Sequence, residues 1–397
     1  MDAKTSVYSI GTPMLSNKIL LLAIVGFLVV VNYSCRTKAD LPEGVKVIAI
    51  DPDRDDGPVP EVIIERIIPL EVTDSSLLGD IYNYLSLRYH NGRFYLLDTW
   101  TTSTLYLFSD EGEFLCRTKR GRGPGEIITP YAFDIDRSSG NILLVDFGQA
   151  SLITLDTELN IVDSRRWPDT VMLNDFRVLD DNRLLVYHDM SKTDVSPATG
   201  LRELYQYTIY KDYFTSANRL DIVINGRNPA ILPSPFSLGD EIMLVAPYDY
   251  NVYRIEDNSA KPVYRFDFGK YSFTPDELNR LSDEEKMRLS SSGERVGSIA
   301  AIQKAGDFLM IVYTLEEKPV NVIHSFKTGN SYDLTRCFEL GLLPVSVTVS
   351  RYEDNSFLAI AEAAEVKKLS ELSEDYGYLD VTGKENPFLI VYSIKDK

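Results

Sequence analysis

Asp98 and Asp146 stand at matching places in the chain, each closing an apolar run, FYLLD in one case and ILLVD in the other. Carboxylates repeated in register at one end of a repeating fold are ligands that a hard cation such as calcium takes. His188 holds the third matching place with Asp189 beside it, and Ala246, Val312 and Ala361 hold the others. Two carboxylates and one imidazole fall short of the roughly six to eight oxygens that calcium requires. Asp98 and Asp146 are therefore only a weak metal pair; no cofactor is expected, and a divalent cation is the one left open. An Asp that ends a strand also accepts hydrogen bonds from the backbone of the following turn, and that role is the one expected here.

Hydrolytic chemistry finds little else to work with. The chain has three histidines, His90, His188 and His324, and neither a G-x-S-x-G nucleophile elbow nor an H-E-x-x-H zinc helix. Gly121, Gly123 and Gly125 precede Glu126 and enclose Pro124, which matches no phosphate-binding fingerprint and suits a turn. In DPDRDDG, Asp51, Asp53 and Asp55 alternate as in a calcium loop, but Asp56 stands where that loop needs Gly and Val62 where it needs Glu. Trp100, in DTWTTST directly after an apolar run, offers a large ring with a flat face and a polar edge, suited to sugars or protein partners. Trp100, His188 and Asp189 are the ligand-binding candidates. Trp167, before Pro168, is expected to pack.

These residues sit on a repeating frame. A Gly, Asn or Asp followed by a short apolar run begins at Gly92, Gly140, Asn182, Asp240, Gly306 and Asn355. Intervals of roughly forty to sixty-five residues suit one four-stranded propeller blade each. Each run is too short for a helix and rich in Ile, Leu, Val, Phe and Tyr, so each is expected as a buried strand b. An apolar stretch before it supplies strand a, and alternating segments behind it supply strands c and d. The chain ends after the sixth strand c, and an unpaired blade edge is a liability. Val59 to Val72, VPEVIIERIIPLEV, is expected to supply the missing strand and latch the ring. The expected fold is all-β: a six-bladed β-propeller of four-stranded antiparallel blades over residues 58–397, the last blade closed by the N-terminal strand.

Two insertions interrupt the frame. Thr274 to Ser292 carries a Pro at its first turn and early acidic residues, which predicts one or two short helices. Lys192–Leu204 and Glu362–Glu385 are polar and are expected as long loops.

Residues 1–34 fall outside the frame. Ile19 to Val31 is an apolar run behind Lys18, shorter than the ~20 residues a membrane span needs and suited to an export signal, with Met14 a second candidate start. Cys35 follows Ser34, an arrangement that resembles a bacterial lipoprotein signal, so Cys35 is the expected lipidation site and residues 35–57 a tether. Asn32 and Tyr33 depart from that pattern. Cys116 and Cys337 are expected on strands d of blades 1 and 5, too far apart to bridge. The formal net charge of −18 repels phosphate backbones and anionic headgroups, which excludes nucleic acid and leaves attachment to the lipid.

Two stretches resemble known propellers. TKRGRGPGEIITPYAFDID, from Thr118 to Asp136, is similar to the joint between blades in NHL-like and TolB-like propellers and in bacterial six-bladed propeller lipoproteins. YLLDTWTTSTLYLFSDEGEFL, from Tyr95 to Leu115, is similar to their repeat, with an Asp ending strand b and an Asp-x-Gly turn between c and d. The likeness implies architecture and export, and fades to strand pattern over blades 3 to 6.

Two function classes fit. One is an envelope-anchored, non-catalytic module that binds a protein, peptide or glycan, as a monomer, on the periplasmic or surface side of the membrane. The other is a metal-dependent hydrolase, lactonase or glycan-cleaving enzyme with its site at the central channel, an analogy of fold alone. The absence of a nameable catalytic set favours the first.

Overall fold

The computed structural model describes residues 44–53, 59–79, 85–166, 173–179, 182–195, 202–212, 216–220, 236–237, 241–246, 248–343, 348–353, 355–372, 381 and 386–396. The expected export segment 1–34, Cys35 and Trp167 lie outside them, as does the side chain of Asp189.

The chain enters with β1 (Lys46–Ala49) and β2 (Glu61–Pro69). Blade 1 is β3 (Leu85–His90), β4 (Arg93–Asp98), β5 (Thr104–Ser109) and β6 (Phe114–Arg117). Blade 2 is β7 (Pro130–Ile135), β8 (Ile142–Asp146), β9 (Ser151–Leu155) and β10 (Ile161–Arg166). Blade 3 is β11 (Leu173–Val178), β12 (Leu184–Val195), β13 (Arg202–Lys211) and β14 (Ser216–Arg219). Blade 4 holds β15 (Met243–Val245), β16 (Asn251–Glu256) and β17 (Ser259–Asp267), followed by α1 (Pro275–Arg280) and α2 (Asp283–Ser291). Blade 5 is β18 (Ile299–Ala305), β19 (Phe308–Leu315), β20 (Lys318–Ser325) and β21 (Ser331–Asp333), then α3 (Leu334–Glu339). Blade 6 is β22 (Thr348–Tyr352), β23 (Ser356–Ala361) and, after α4 (Ala363–Leu372), β24 (Phe388–Lys395). The protein is a six-bladed β-propeller.

Alternation explains why strand b is apolar throughout. Successive side chains leave a strand on opposite faces, and a blade has a neighbour on each face. Phe94 and Leu96 pack toward blade 6 with Leu358, Leu389 and Val391. Tyr95 and Leu97 pack toward blade 2 with Phe133, Leu144 and Ile153. Each such side chain is fully buried, worth about 1.5–3 kcal/mol apiece. The outer strands meet solvent on one edge, and β10 is accordingly polar and exposed.

The latch forms as expected. β2 pairs antiparallel with β24, from Glu61 opposite Lys395 to Pro69 opposite Phe388. Arg66 then reaches the c–d turn of blade 1, bonding Asp110 Oδ2 at 2.7 Å and the Asp110 carbonyl at 2.7 Å. Glu71 N–H donates to Gly112 O at 2.9 Å. Gly112 has φ +83°, and a Cβ there would come 2.4 Å from Pro69 O, so this turn position needs glycine. Asn386, 2% exposed, donates to the carbonyls of Glu71 and Ser76 and accepts from Leu78 N–H, stapling the crossing into blade 1.

The structure corrects four expectations. The stretch 35–57 is not all tether, because β1 lies within it and pairs parallel with β17 on the outer edge of blade 4. That blade is therefore not purely antiparallel, and among the described residues only the bridge between Phe236 and Leu244 marks its strand a. The expected loop 192–204 is paired strand at both described ends, with Lys192 opposite Tyr205 and Val195 opposite Arg202. The expected loop 362–385 contains α4, whose Val366 and Leu369 are buried one turn apart. Cys337 lies on α3 rather than on a strand, where its thiol donates to Asp333 O at 3.9 Å, while Cys116 lies on β6 as expected. The helices between Thr274 and Ser292 form as predicted, each with a capping box, Thr274 with Glu277 and Ser282 with Glu285.

Candidate functional site at the mouth of blades 1 and 2

Strands b end, strands c begin and strands a begin on one face of the ring, and Asp98, Asp146 and Trp100 lie there. Asp98 is 1% exposed, and its carboxylate accepts from Gly79 N–H at 3.0 Å, Thr101 N–H at 2.9 Å, Thr102 N–H at 3.2 Å and the Thr102 hydroxyl at 3.0 Å. Asp146, 0% exposed, accepts from Ile128 and Thr129 N–H at 2.8 Å each and from Gly148 N–H at 2.9 Å. Each carboxylate thus fastens the b–c turn to the chain arriving at strand a. Both turns end on a non-glycine residue in the left-handed region, Ser103 and Ala150, a cost of roughly 1–2 kcal/mol that these bonds offset.

The other candidates are divided. His188 is fully buried, its Nε2 3.0 Å from Thr208 Oγ1, so it faces the core of blade 3 rather than the mouth. Trp100 is 60% exposed. It stands edge-on to Tyr131, with centroids 6.4 Å apart at 84°, and Tyr131 in turn lies 4.4 Å from Phe147 at 31°. Trp100 and Phe147 follow the paired aspartates and Tyr131 opens strand a of blade 2, so the two clamped turns hold up a three-ring ledge.

The Gly-rich joint lies beside this ledge. Glu126 folds back to accept Gly123 N–H at 2.7 Å, while Gly121 N–H donates to Ile127 O and Gln149 Nε2 to Glu126 O. The loop fills its own amide nest, in keeping with a turn rather than a phosphate site.

Toward the channel the sequence hid a charged ladder. Arg88, Asp134 and Arg177 face Tyr95, Leu143 and Leu185, matching places on blades 1, 2 and 3. Arg88 Nε lies 3.5 Å from Asp134 Oδ1, and Asp134 Oδ2 accepts Val178 N–H at 2.8 Å. Arg177 donates to Asp175 Oδ1 at 3.0 Å and lies over Phe236, as Arg88 lies over Phe133. Burial, then the neighbouring Arg177 charge, pulls Arg88 down to about 10, against the pull of Asp134 and Asp175. Two guanidiniums and two carboxylates balance, so the ladder couples blades rather than supplying a free acid or base. Bulges between Pro130 and Ala132 and between Leu173 and Asp175 shift the register, which is why spacing alone did not show it. Among the described residues, no three His, Cys, Asp or Glu side chains gather closely enough to hold a metal.

Residues 65–393 match the family described as a domain of unknown function, DUF4934. The chain belongs to that family. Among solved structures, this DUF4934 propeller is similar to BF0058 of Bacteroides fragilis NCTC 9343, designated a candidate exported protein, at 18% identity and a TM-score of 0.66. The likeness covers 89% of this chain and 100% of that one. A member of the DUF4221 family from Bacteroides vulgatus ATCC 8482 is similar at 10% identity and a TM-score of 0.51, over 86% of this chain and 100% of that one. At these identities the likeness establishes the fold alone. No curated protein matches the sequence significantly.

Proposed function

We propose that this DUF4934 protein is an exported, lipid-anchored binding module that holds a glycan or polypeptide of the cell envelope on the ledge of blades 1 and 2. The observation that carries this is Trp100: a large apolar ring, 60% exposed, braced by Tyr131 on turns that two buried aspartates make rigid. Rigid aromatic faces bind with little loss of conformational freedom and stack on sugar rings or apolar side chains. Export and anchoring rest on Ile19 to Val31 and on Cys35. Two or more acyl chains on one Cys give lasting attachment, which one chain alone does not.

Calorimetric titration of neutral oligosaccharides and envelope-derived peptides tests the site. A saturable ligand that loses tenfold or more in affinity in Trp100→Ala, with melting temperature unchanged, is the expected result. A ligand indifferent to Trp100 would move the site elsewhere. For the anchor, an alkyne fatty acid fed to expressing cells labels the protein, and Cys35→Ser abolishes both label and membrane association.

A further inference from the structure

A cavity of about 820 Å³ lies on the outer rim, where the stretch after β1 meets blades 4 and 5. Its lining joins Asp51 and Asp53 from that stretch to Asp267 and Tyr271 of blade 4 and Tyr313 and Asp333 of blade 5. It shares nothing with the Trp100 ledge.

Tyr313 is 1% exposed and its ring packs 4.8 Å from Phe268. Its hydroxyl makes no hydrogen bond with any described residue. Burial raises its pKa, and the carboxylates of Asp333 and Asp51 raise it further, which sets this hydroxyl in the field of both. A tyrosine side chain buried to this degree ordinarily has a partner for its hydroxyl, and this one is part of the cavity lining instead, which marks a place for a ligand atom.

The carboxylates are half engaged. Asp51 Oδ1 accepts Asp53 N–H, Asp267 Oδ1 accepts Gly269 N–H, and Asp333 Oδ1 accepts Thr335 N–H. The second oxygen of each makes no hydrogen bond among the described residues. The rim already holds one ammonium: Lys270 Nζ sits 2.7 Å from Asp53 Oδ2 and 4.9 Å over the Tyr271 ring. Carboxylate plus aromatic face is the combination that retains alkylammonium and guanidinium groups. The space far exceeds a bare ion, and these acids do not gather as a metal set.

We propose that this cavity binds an alkylammonium or guanidinium group, seated between Asp51 and Asp333 with the Tyr313 hydroxyl accepting one of its N–H bonds. The strongly acidic surface draws cations toward it.

The test is calorimetry on the full chain in detergent with cadaverine, Nα-acetyl-lysine amide and, as neutral control, 1,5-pentanediol. Saturable binding of either amine but not of pentanediol is expected. The affinity should fall at least tenfold in the Asp51→Asn/Asp333→Asn double variant, fall severalfold in Tyr313→Phe, and stay unchanged in Trp100→Ala. An unaltered melting temperature of the unliganded double variant separates lost binding from lost folding. Of the two amines, the tighter shows whether the cation comes from a polypeptide side chain or a free amine, and either result supports the site. Equal response to cadaverine and pentanediol, or full amine affinity in the double variant, overturns it.

Discussion

Blades 1 and 2 and blade 4 face one problem, the sharp turn from strand b to strand c, and solve it differently. In blades 1 and 2 a single buried carboxylate, Asp98 or Asp146, gathers the turn and the incoming chain from within. Blade 4 has Ala246 there; its buried carboxylate is Asp249, which accepts Asn251 N–H at 2.9 Å at the start of strand c but, among the described residues, does not reach the incoming chain, and the rest of the turn is held from outside. Tyr250 donates to Val296 O at 2.7 Å and accepts Phe273 N–H at 3.1 Å, and Tyr248 meets Phe273 edge-on at 5.5 Å. Phe273 opens the inserted segment that continues into α1. A turn that supports itself leaves its outer side chains exposed, as with Trp100. A turn supported by an insertion has that surface covered, and on this side of the ring the open space lies at the rim instead.

The largest expected effect breaks the self-supported turn. Asp146→Ala leaves the half-buried amides of Ile128 and Thr129 without acceptors at about 1–3 kcal/mol each and returns that of the exposed Gly148 to water, so chemical denaturation should show a loss of about 3 kcal/mol or more. The reciprocal change, Ala246→Asp, should not stabilise blade 4, because the amides of Tyr248, Asp249 and Asn251 already donate to Ser298 Oγ, Ala246 O and Asp249 Oδ1; equal stability gains on both sides would dissolve the contrast. Next comes the closure beside blade 1. Asn386→Ala orphans three backbone groups and should cost about 2–3 kcal/mol, while Asn386→Asp keeps the acceptor for Leu78 N–H but sets a buried carboxylate against two carbonyl oxygens and should cost at least as much.

The smallest effect concerns the insertion. Burial alone would raise Glu277, but its bonds to Arg295 and Thr274 outweigh that and hold it below the usual carboxylate range. A depressed folded pKa contributes stability that is complete above the unfolded value of about 4.3 and is lost as pH falls through the folded value. Melting temperature measured between pH 7 and pH 3 should therefore fall less steeply in Glu277→Gln than in the parent, whose advantage at pH 7 disappears in acid. An identical slope would mean that the Glu277 cap does not hold the covered side together.

Strand b was legible because burial on both faces leaves an unbroken apolar run, and the latch was legible because a blade edge must be paired. β1 was not: in Lys46–Ala49 only Ile48 is buried, so four residues carry no pattern. α4 hid within a polar stretch, although Val366 and Leu369 stand at helical spacing. At the site, the aspartates declared themselves by register, yet the same register could not say whether they faced a cation or their own turns. Tyr131 and Phe147 had a signal, being aromatics beside those turns, whereas His188 shared the register and points inward. Of the rim cavity only Asp51 and Asp53 stood out, as alternating acids, since Tyr313 and Asp333 join them only through folding.

The central claim is that the exposed face of Trp100 meets a ligand. It is tested most directly in a Trp167→Phe chain, where Trp100 is the only emitter among two tryptophans reduced to one. Iodide should quench its emission strongly, and an envelope glycan or peptide should shift that emission to the blue and protect it from iodide in a saturable way. Emission that iodide barely reaches, or that no member of a glycan and peptide panel alters, would contradict a binding ledge on blades 1 and 2.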